Sequence, residues 1–308
     1  MYHTNRMGEK ITVLLTGASG HIGSRWLAEH SPKVGKIIAL STSGAPMPPT
    51  PSGVSVEVRK GTIPEVDPKS LLDGVDVVVH LAAKTPASDV TDAKYDEINC
   101  RWVERLGSAC MARGTHLFFP STSAIYAAKQ GELLVEDTER IKPQNPYAES
   151  KLKAEEALRN LAKDGLEVVI ARFGSVFGHS RKPHFKTRID AFVKDAVEGR
   201  PLSVWKNTLE QMRGYTYVGD CAKVINFCVE NDLFDGEVYN VVSENATTAS
   251  ILDSIRAVVP NLEIELTEPE SAVNYSFGMD GTKMAKKGFE PSGTIREGVT
   301  EMVAKLRG

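Results

Sequence analysis

An α/β architecture, a doubly wound parallel sheet with a smaller C-terminal portion, is predicted by three features of the sequence. An apolar run, Ile11 to Thr16 (ITVLLT), leads into glycines and then a helical stretch that stops at Ser31-Pro32, the order strand, tight loop, helix. Further β-like runs alternate with segments of helical length. Two of those runs, VDVVVHL (75–81) and LEVVIARF (166–173), are apolar almost without interruption, as central strands covered on both faces must be.

Taken in order, the second strand is expected at 36–40, and later strands at 54–58, 75–81, 116–121, 167–171 and 238–242. Helices are expected at 98–113 and 146–163. The second of these opens with Asn145 as cap and Pro146 at the first helical position, and ends at Gly165. Pro46, Pro48, Pro49 and Pro51, with Gly44 and Gly53, make a stiff surface loop after the second strand. From about residue 175 the spacing becomes irregular, with loops expected at 179–186 and 206–214, and residues 1–9 read as a loose leader.

The chain has 308 residues, 41% of them hydrophobic and 25% charged, which excludes disorder for the bulk and provides a sizeable core. With 37 Lys+Arg against 40 Asp+Glu, the net charge of −3 gives no global basic field for nucleic acid or an anionic membrane. No apolar run reaches the ~18–20 residues of a membrane span, and MYHTNRMGEK is too polar for a signal peptide. The four cysteines, Cys100, Cys110, Cys221 and Cys228, fall in helical segments and form no CxxC pair. Neither a metal site nor a disulfide scaffold is expected, and a reducing cytoplasm fits.

The loop TGASGHIG, Thr16 to Gly23, lies where the first strand turns into the first helix. Gly17 permits the tight turn, Gly20 lets the backbone approach a pyrophosphate, and Gly23 lets the helix pack on the strand; Ser19, His21 and Ile22 fill the loop between them. Simple turn chemistry is the plain alternative. The spacing is GxxGxxG, distinct from the GxGxxG of the simple dinucleotide fingerprint.

Tyr147 and Lys151 lie four residues apart in the first turns of the 146–163 helix and share a face. An ammonium near a phenol favours the phenolate and is expected to lower its pKa from ~10 toward working pH, as a general acid/base needs. A solvated Lys beside an interfacial Tyr is the alternative. The preceding strand ends in FFPSTSAIY, which places Thr122 and Ser123 at the carboxyl edge where ligands of such sheets bind.

Together TGASGHIG, HLAA (80–83), Asn99 opening a helix, PSTSAIY, PYAESK, RFGSVFG (172–178), RGYTYVGD (213–220), EVYNVVSE and DGTKMAKKGFEP resemble the extended short-chain dehydrogenase/reductase family, in its NAD(P)-dependent nucleotide-sugar epimerase/dehydratase group. The resemblance covers nearly the whole chain. It implies a Rossmann-like NAD(P)-binding domain over 10–174 and a mainly substrate-binding portion over 175–308, some segments of which return to the first domain. It also implies a nucleotide-sugar substrate, hydride transfer to or from nicotinamide, and a homodimer. By position, Tyr147 would be the acid/base, Lys151 its electrostatic partner and ribose ligand, and Thr122 the substrate-side hydroxyl with Ser123 beside it. Leu81, Ala82 and Ala83 would line the cofactor. Asn99 matches a position associated with a proton-relay water, and backbone capping is its alternative role.

Several positions depart from the family pattern. Ser41, followed by Thr42 and Ser43, stands where NAD-preferring members carry an acidic ribose ligand, so a 2′-phosphate is not repelled and Arg25 on the first helix is a candidate to reach it. NADP is therefore expected ahead of NAD. Thr62 follows Gly61 where an Asp near the adenine is usual. The dehydratase members' Thr-Asp-Glu run is here Thr122, Ser123 and Ala124, which leaves no acid for elimination. Ser175 stands where many members have a diphosphate-contacting Asn. Arg213 is retained and is a candidate diphosphate clamp, with a structural salt bridge as its alternative. The basic run His179, Arg181, Lys182, His184, Lys186 and Arg188 is either a solvated surface or a phosphate site.

These features favour 4-epimerization or 4-keto reduction of a nucleotide sugar. A reductase of a non-nucleotide ketone or aldehyde, and a non-catalytic NADP sensor or scaffold, are the competing readings. Titration with NADPH and NADH is expected to show tighter NADPH binding that Ser41→Asp weakens; equal or tighter NADH binding contradicts the reading of Ser41.

Overall fold

A computed structural model describes residues 10–308 apart from 45–46, 48–49, 51–53, 87–89, 128–130, 184, 186 and 269–275. The leader, Pro46, Pro48, Pro49, Pro51, Gly53, His184 and Lys186 thus lie outside the described residues. Seven strands form the main sheet: β1 (Ile11–Thr16), β2 (Val34–Ser41), β3 (Ser55–Lys60), β4 (Val77–His80), β5 (His116–Thr122), β6 (Val168–Phe173) and β7 (Asp235–Val241). Their order is β7-β6-β5-β4-β1-β2-β3. β1 pairs in parallel with both β2 and β4, so Thr16 lies level with Leu40 on one side and His80 on the other. The strand order reverses between β1 and β4, and the carboxyl ends of strands flanking such a switch point open a crevice for ligands.

The continuous apolar runs become the central strands, with every residue of β4 and of β6 buried. Three helices bear on the candidate site: α1 (His21–Glu29), α2 (Trp102–Arg113) and α3 (Pro146–Lys163). Leu14, Val78, Trp102, Leu106, Phe119, Leu158 and Ile170 join strands to helices in one core. At the start of α3 the Asn145 carboxamide accepts the Ala148 amide proton at 2.8 Å, satisfying one of the free donors of the first turn.

The chain divides into two compact units. The first runs to Ile125 and includes Pro143–Arg172 and Ala222–Tyr239; the second comprises Tyr126–Lys142, Phe173–Cys221 and Asn240–Gly308. In the second, strands Glu244–Thr247, Met212–Tyr217 and Ser175–Phe177 form a three-stranded sheet. Phe177, Ile189, Leu202, Tyr215, Ile251 and Val299 belong to its core. Arg213 lies within the strand Met212–Tyr217, whereas a loop was expected at 206–214. The strand forms because Arg213 and Gly214 pair with Ala246 and Asn245. Asp220 ties this unit together, accepting the Ser243 hydroxyl at 2.7 Å and the Gly293 amide at 2.9 Å.

Asp190 is 1% exposed and accepts the Gly178 amide at 3.1 Å. Burial pushes its carboxyl up from 3.8 to about 7, against the opposing pull of that amide. A carboxyl whose folded pKa is raised favours folding fully only below its unfolded value, and stability falls as pH rises through the folded value. Asp190→Asn keeps an oxygen for Gly178 and is expected to raise Tm more at about pH 8 than at about pH 4; an equal change at both pH values contradicts the burial argument.

Candidate active site

The glycine loop closes between β1 and α1, with the Gly20 amide donating to the Gly17 carbonyl at 2.9 Å. Gly17 has φ +70°, and a Cβ there would lie 2.6 Å from the Ala82 nitrogen and the Leu81 carbonyl carbon. A Cβ on Gly23 would lie 2.2 Å from the Gly17 oxygen. Gly20 caps α1 without a side-chain hydrogen bond, so no side chain of the cap competes for the amides of the first turn. Ser19 is exposed, and His21 and Ile22 are half-buried at the helix start. This close backbone turn leading into a nine-residue helix fits the pyrophosphate of a dinucleotide.

Thr16 joins the loop to the switch point. Its Oγ1 accepts the Ala82 amide at 3.1 Å and lies 2.9 Å from His80 Nδ1. The hydroxyl and Nδ1 share this hydrogen bond in either neutral tautomer of the ring, since Oγ1 has one proton and two lone pairs. Burial drives the His80 pKa down to about 3, with the Lys151 charge adding to the shift, so this ring is neutral at working pH. The Leu81 amide donates to the Thr16 carbonyl at 3.1 Å, holding residues 81–83 beside Gly17.

Thr122 ends β5 and Ser123 begins the turn that follows. The Ala124 amide donates to Thr122 Oγ1 at 3.1 Å, while the Thr122 hydroxyl hydrogen-bonds the Tyr147 phenol. Tyr147, Lys151 and Glu155 follow at four-residue intervals along α3. Lys151 is 3% exposed, with Nζ 3.9 Å from the centroid of the Phe119 ring. Burial lowers its pKa from 10.5 to about 7, opposed by the Glu155 carboxylate. That carboxylate takes Arg172 Nε at 3.1 Å on both oxygens and Nη2 at 2.7 Å.

The expected lowering of the Tyr147 pKa does not occur. Burial raises it to about 12, and the Thr122 hydrogen bond offsets only part of that. Desolvation of the phenolate outweighs its one favourable partner, and Tyr95 adds to the rise.

Asn99 does not open a helix. It lies in a π-helical turn, Glu97–Arg101, between the helix Asp92–Asp96 and α2. Its carboxamide accepts the Lys84 amide at 2.8 Å and donates to the Lys84 carbonyl at 3.0 Å and to Ser150 Oγ at 3.1 Å. Both donors are thus engaged in joining the loop after β4 to α3, and backbone capping describes its role in this structure. Ser150 in turn donates to the Tyr147 carbonyl at 2.7 Å.

At the end of β2, Ser41 Oγ lies 3.3 Å from Ser43 Oγ, and Thr42 is exposed. Arg25 pairs with Glu29 one turn along α1 at 2.8 Å, an ion pair that competes with any phosphate for the guanidinium. In the second unit, Ser175 is exposed on the strand aligned with Tyr215. Arg213 lies over the Phe277 ring, its guanidinium carbon 5.3 Å from the centroid. Among the described residues, no group of three or more His, Cys, Asp or Glu gathers to hold a metal, and no helix is long and apolar enough to cross a membrane.

The family model described as the NAD dependent epimerase/dehydratase family matches residues 13–241, from the first strand past the Tyr147–Lys151 helix to the end of β7. The chain belongs to this family. Among curated relatives of this epimerase/dehydratase chain, the Bacillus subtilis (strain 168) protein YtcB, described as an uncharacterized UDP-glucose epimerase, is 27% identical over 96% of this chain and 97% of its own length. A putative UDP-glucose 4-epimerase of Methanocaldococcus jannaschii is 25% identical over 94% and 97%, respectively. The crystal structure of Thermus thermophilus UDP-glucose 4-epimerase complexed with NAD matches with a TM-score of 0.78 at 25% identity, over 97% of this chain and 99% of that one. A Methanobrevibacter ruminantium UDP-N-acetylglucosamine 4-epimerase in complex with UDP-N-acetylmuramic acid shares the fold with a TM-score of 0.83 at 23% identity, over 97% and 99%.

Sequence reasoning missed His80, Phe119, Glu155 and Arg172 as parts of this surround. Glu155 had a legible signal, since it continues the stripe of Tyr147 and Lys151. The others are buried in apolar runs, where pattern alone does not separate a site-facing side chain from core. Gly23→Ala is expected to push the loop off the helix, with at least a tenfold loss of NAD(P) affinity by calorimetry; unchanged affinity contradicts the cradle.

Proposed function

We propose that this family member is an NAD(P)-dependent nucleotide-sugar epimerase acting at C4, with Thr122, Tyr147 and Lys151 as its catalytic residues. The observation that carries the reading is the Thr122–Tyr147 hydrogen bond at the carboxyl end of β5, with Lys151 one turn along the same helix. Full-length similarity to proteins described as UDP-glucose epimerases supports the substrate class.

The residues divide the work. The glycine cradle and the first turn of α1 hold the pyrophosphate, while Leu81, Ala82 and Ala83 flank the dinucleotide. A nicotinamide bound there supplies hydride acceptance and return. Thr122, whose oxygen takes the Ala124 amide, directs its proton toward the phenol or a substrate oxygen. Tyr147 as the phenolate takes the proton from the sugar hydroxyl and as the phenol later gives it back, and a charged Lys151 stabilises the phenolate that stands before the first step and after the second. With the phenol raised to about 12, proton abstraction needs charge brought near it, and Lys151 is the cation on the same helix face. Ser123 and Ala124 supply no carboxyl, so water elimination has no acid at those positions.

Arg213 is assigned to the substrate diphosphate, with Ser175 and Ser123 as polar neighbours of the substrate. Its place in a paired strand fixes the backbone from which the guanidinium extends. Asn99 is a positioning residue that fixes the loop after β4. The hydroxyls of Ser41 and Thr42 favour NADP; the ion pair of Arg25 with Glu29 and the NAD complex of the Thermus epimerase favour NAD. The cofactor titration decides between them.

Tyr147→Phe removes only the ionisable oxygen and is expected to lower kcat by about a hundredfold to ten-thousandfold while cofactor affinity is nearly kept. A panel of UDP-, dTDP-, GDP- and CDP-sugars identifies the nucleotide by thermal shift with NAD(P) present. With the responding sugar, Arg213→Ala is expected to raise KM roughly tenfold to a hundredfold with a smaller change in kcat. Near-normal turnover in the Tyr147→Phe protein overturns the acid/base assignment. No response to any nucleotide sugar, alongside reduction of an uncharged ketone, favours a reductase of non-nucleotide substrates.

A further inference from the structure

The Lys151 ammonium is buried against an aromatic face. Its Nζ lies 3.9 Å from the centroid of Phe119, well inside the ~6 Å range of a cation–π contact. Phe119 is one of three neighbouring rings: His80 lies nearly parallel to it with centroids 6.2 Å apart and planes 8° apart, and Trp102 stacks on His80 at 5.3 Å. Each ring has a fixed anchor. The Trp102 indole donates to the Val66 carbonyl at 2.9 Å, His80 is held through Thr16, and Phe119 belongs to β5 three residues before Thr122. All three rings are at most 1% exposed, so the stack is rigid packing rather than a surface contact.

We propose that Phe119 is a positioning residue for the acid/base pair, its ring face holding the Lys151 ammonium charged and in place beneath Tyr147, with the His80–Trp102 stack fixing the ring. The proposal rests on the catalytic reading of Tyr147 and Lys151. A quadrupole suits this task better than a carboxylate in contact, because it attracts the cation without neutralising it or taking up its protons. The ammonium thus keeps its N–H donors for a ribose hydroxyl. The neutral state of His80 is part of the same design, since an imidazolium beside Phe119 would repel Lys151.

The charged and titratable groups around Lys151 are known. Tyr147 and Glu155 share its helix, Arg172 on β6 is bound to Glu155, and His80 comes from β4. Glu155 favours the ammonium and burial opposes it, which leaves Lys151 near the midpoint of its titration at neutral pH. A modest attraction from the ring is then enough to decide its charge.

The test is a series of mono-, di- and trifluorinated phenylalanines at position 119, which weaken the ring quadrupole at nearly constant shape. With the nucleotide sugar as substrate, the alkaline limb of kcat/KM is expected to move to lower pH with each added fluorine, by about half a pH unit or more in total, as a cation–π energy of ~0.5–2 kcal/mol implies. Phe119→Leu should shift the limb at least as far, and Phe119→Tyr should restore it. Tm measured on each protein separates loss of folding from loss of the ring. A limb that stays fixed across the fluorinated series while Tm is unchanged overturns the proposal. If Tyr147→Phe is inactive under those conditions, only the role of Phe119 falls; if Tyr147→Phe is active, the catalytic reading itself is wrong.

Discussion

A buried ion pair between Glu155 and Arg172 anchors the helix on which the proposed chemistry depends. The two side chains are 1% and 2% exposed, and their three short contacts tie the middle of α3 to β6. Two charges out of water are costly unless each satisfies the other, and removing one alone typically costs ~3–5 kcal/mol. The geometry of α3 is therefore pinned. Because Tyr147, Lys151 and Glu155 occupy successive turns of one face, pinning Glu155 fixes the rotation that brings Tyr147 to Thr122, and it sets a negative charge one turn from Lys151.

A similar sharing of partners governs the nucleotide side. One hydroxyl, Thr16 Oγ1, serves the Ala82 amide and the His80 ring, so the end of β1, the loop after β4 and the placing of His80 are settled together. Gly17 lies against that loop, and Gly23 lies against Gly17. The cradle is thus a chain of close backbone contacts in which a methyl group at either glycine collides with main-chain atoms. On the opposite side, Asn99 ties Lys84 to Ser150, and Ser150 ties back to the Tyr147 carbonyl. Loop, π-turn and α3 are joined within the first unit.

Much of this was legible in the sequence. The run ITVLLT became β1 with the expected bounds, Asn145-Pro146 began α3 as expected, and VVVH and VVIARF became fully buried central strands. Local patterns of that kind report burial and capping directly. The departures share a physical cause, which is that partners distant in sequence decide them. Asn99 looked like a helix start because nothing local reveals a π-turn, and its side chain bonds Lys84 and Ser150, both distant in sequence. Arg213 looked like a loop residue because its strand exists only through pairing with Ala246. The titration of Tyr147 departs from the expectation because four-residue spacing along a helix reveals nothing of the burial that raises it, and the group that lowers it is Thr122.

The proposed chemistry turns on transient oxidation at C4, with the hydrogen stored and returned. The most direct test follows a UDP-sugar by proton NMR in deuterium oxide with the protein and a catalytic amount of NAD or NADP. The expected result is that the C4 epimer accumulates to equilibrium with its C4 hydrogen retained as protium and with no net reduction of the nicotinamide. Deuterium entering the sugar ring, or product formed only in proportion to reduced nicotinamide consumed, would contradict it.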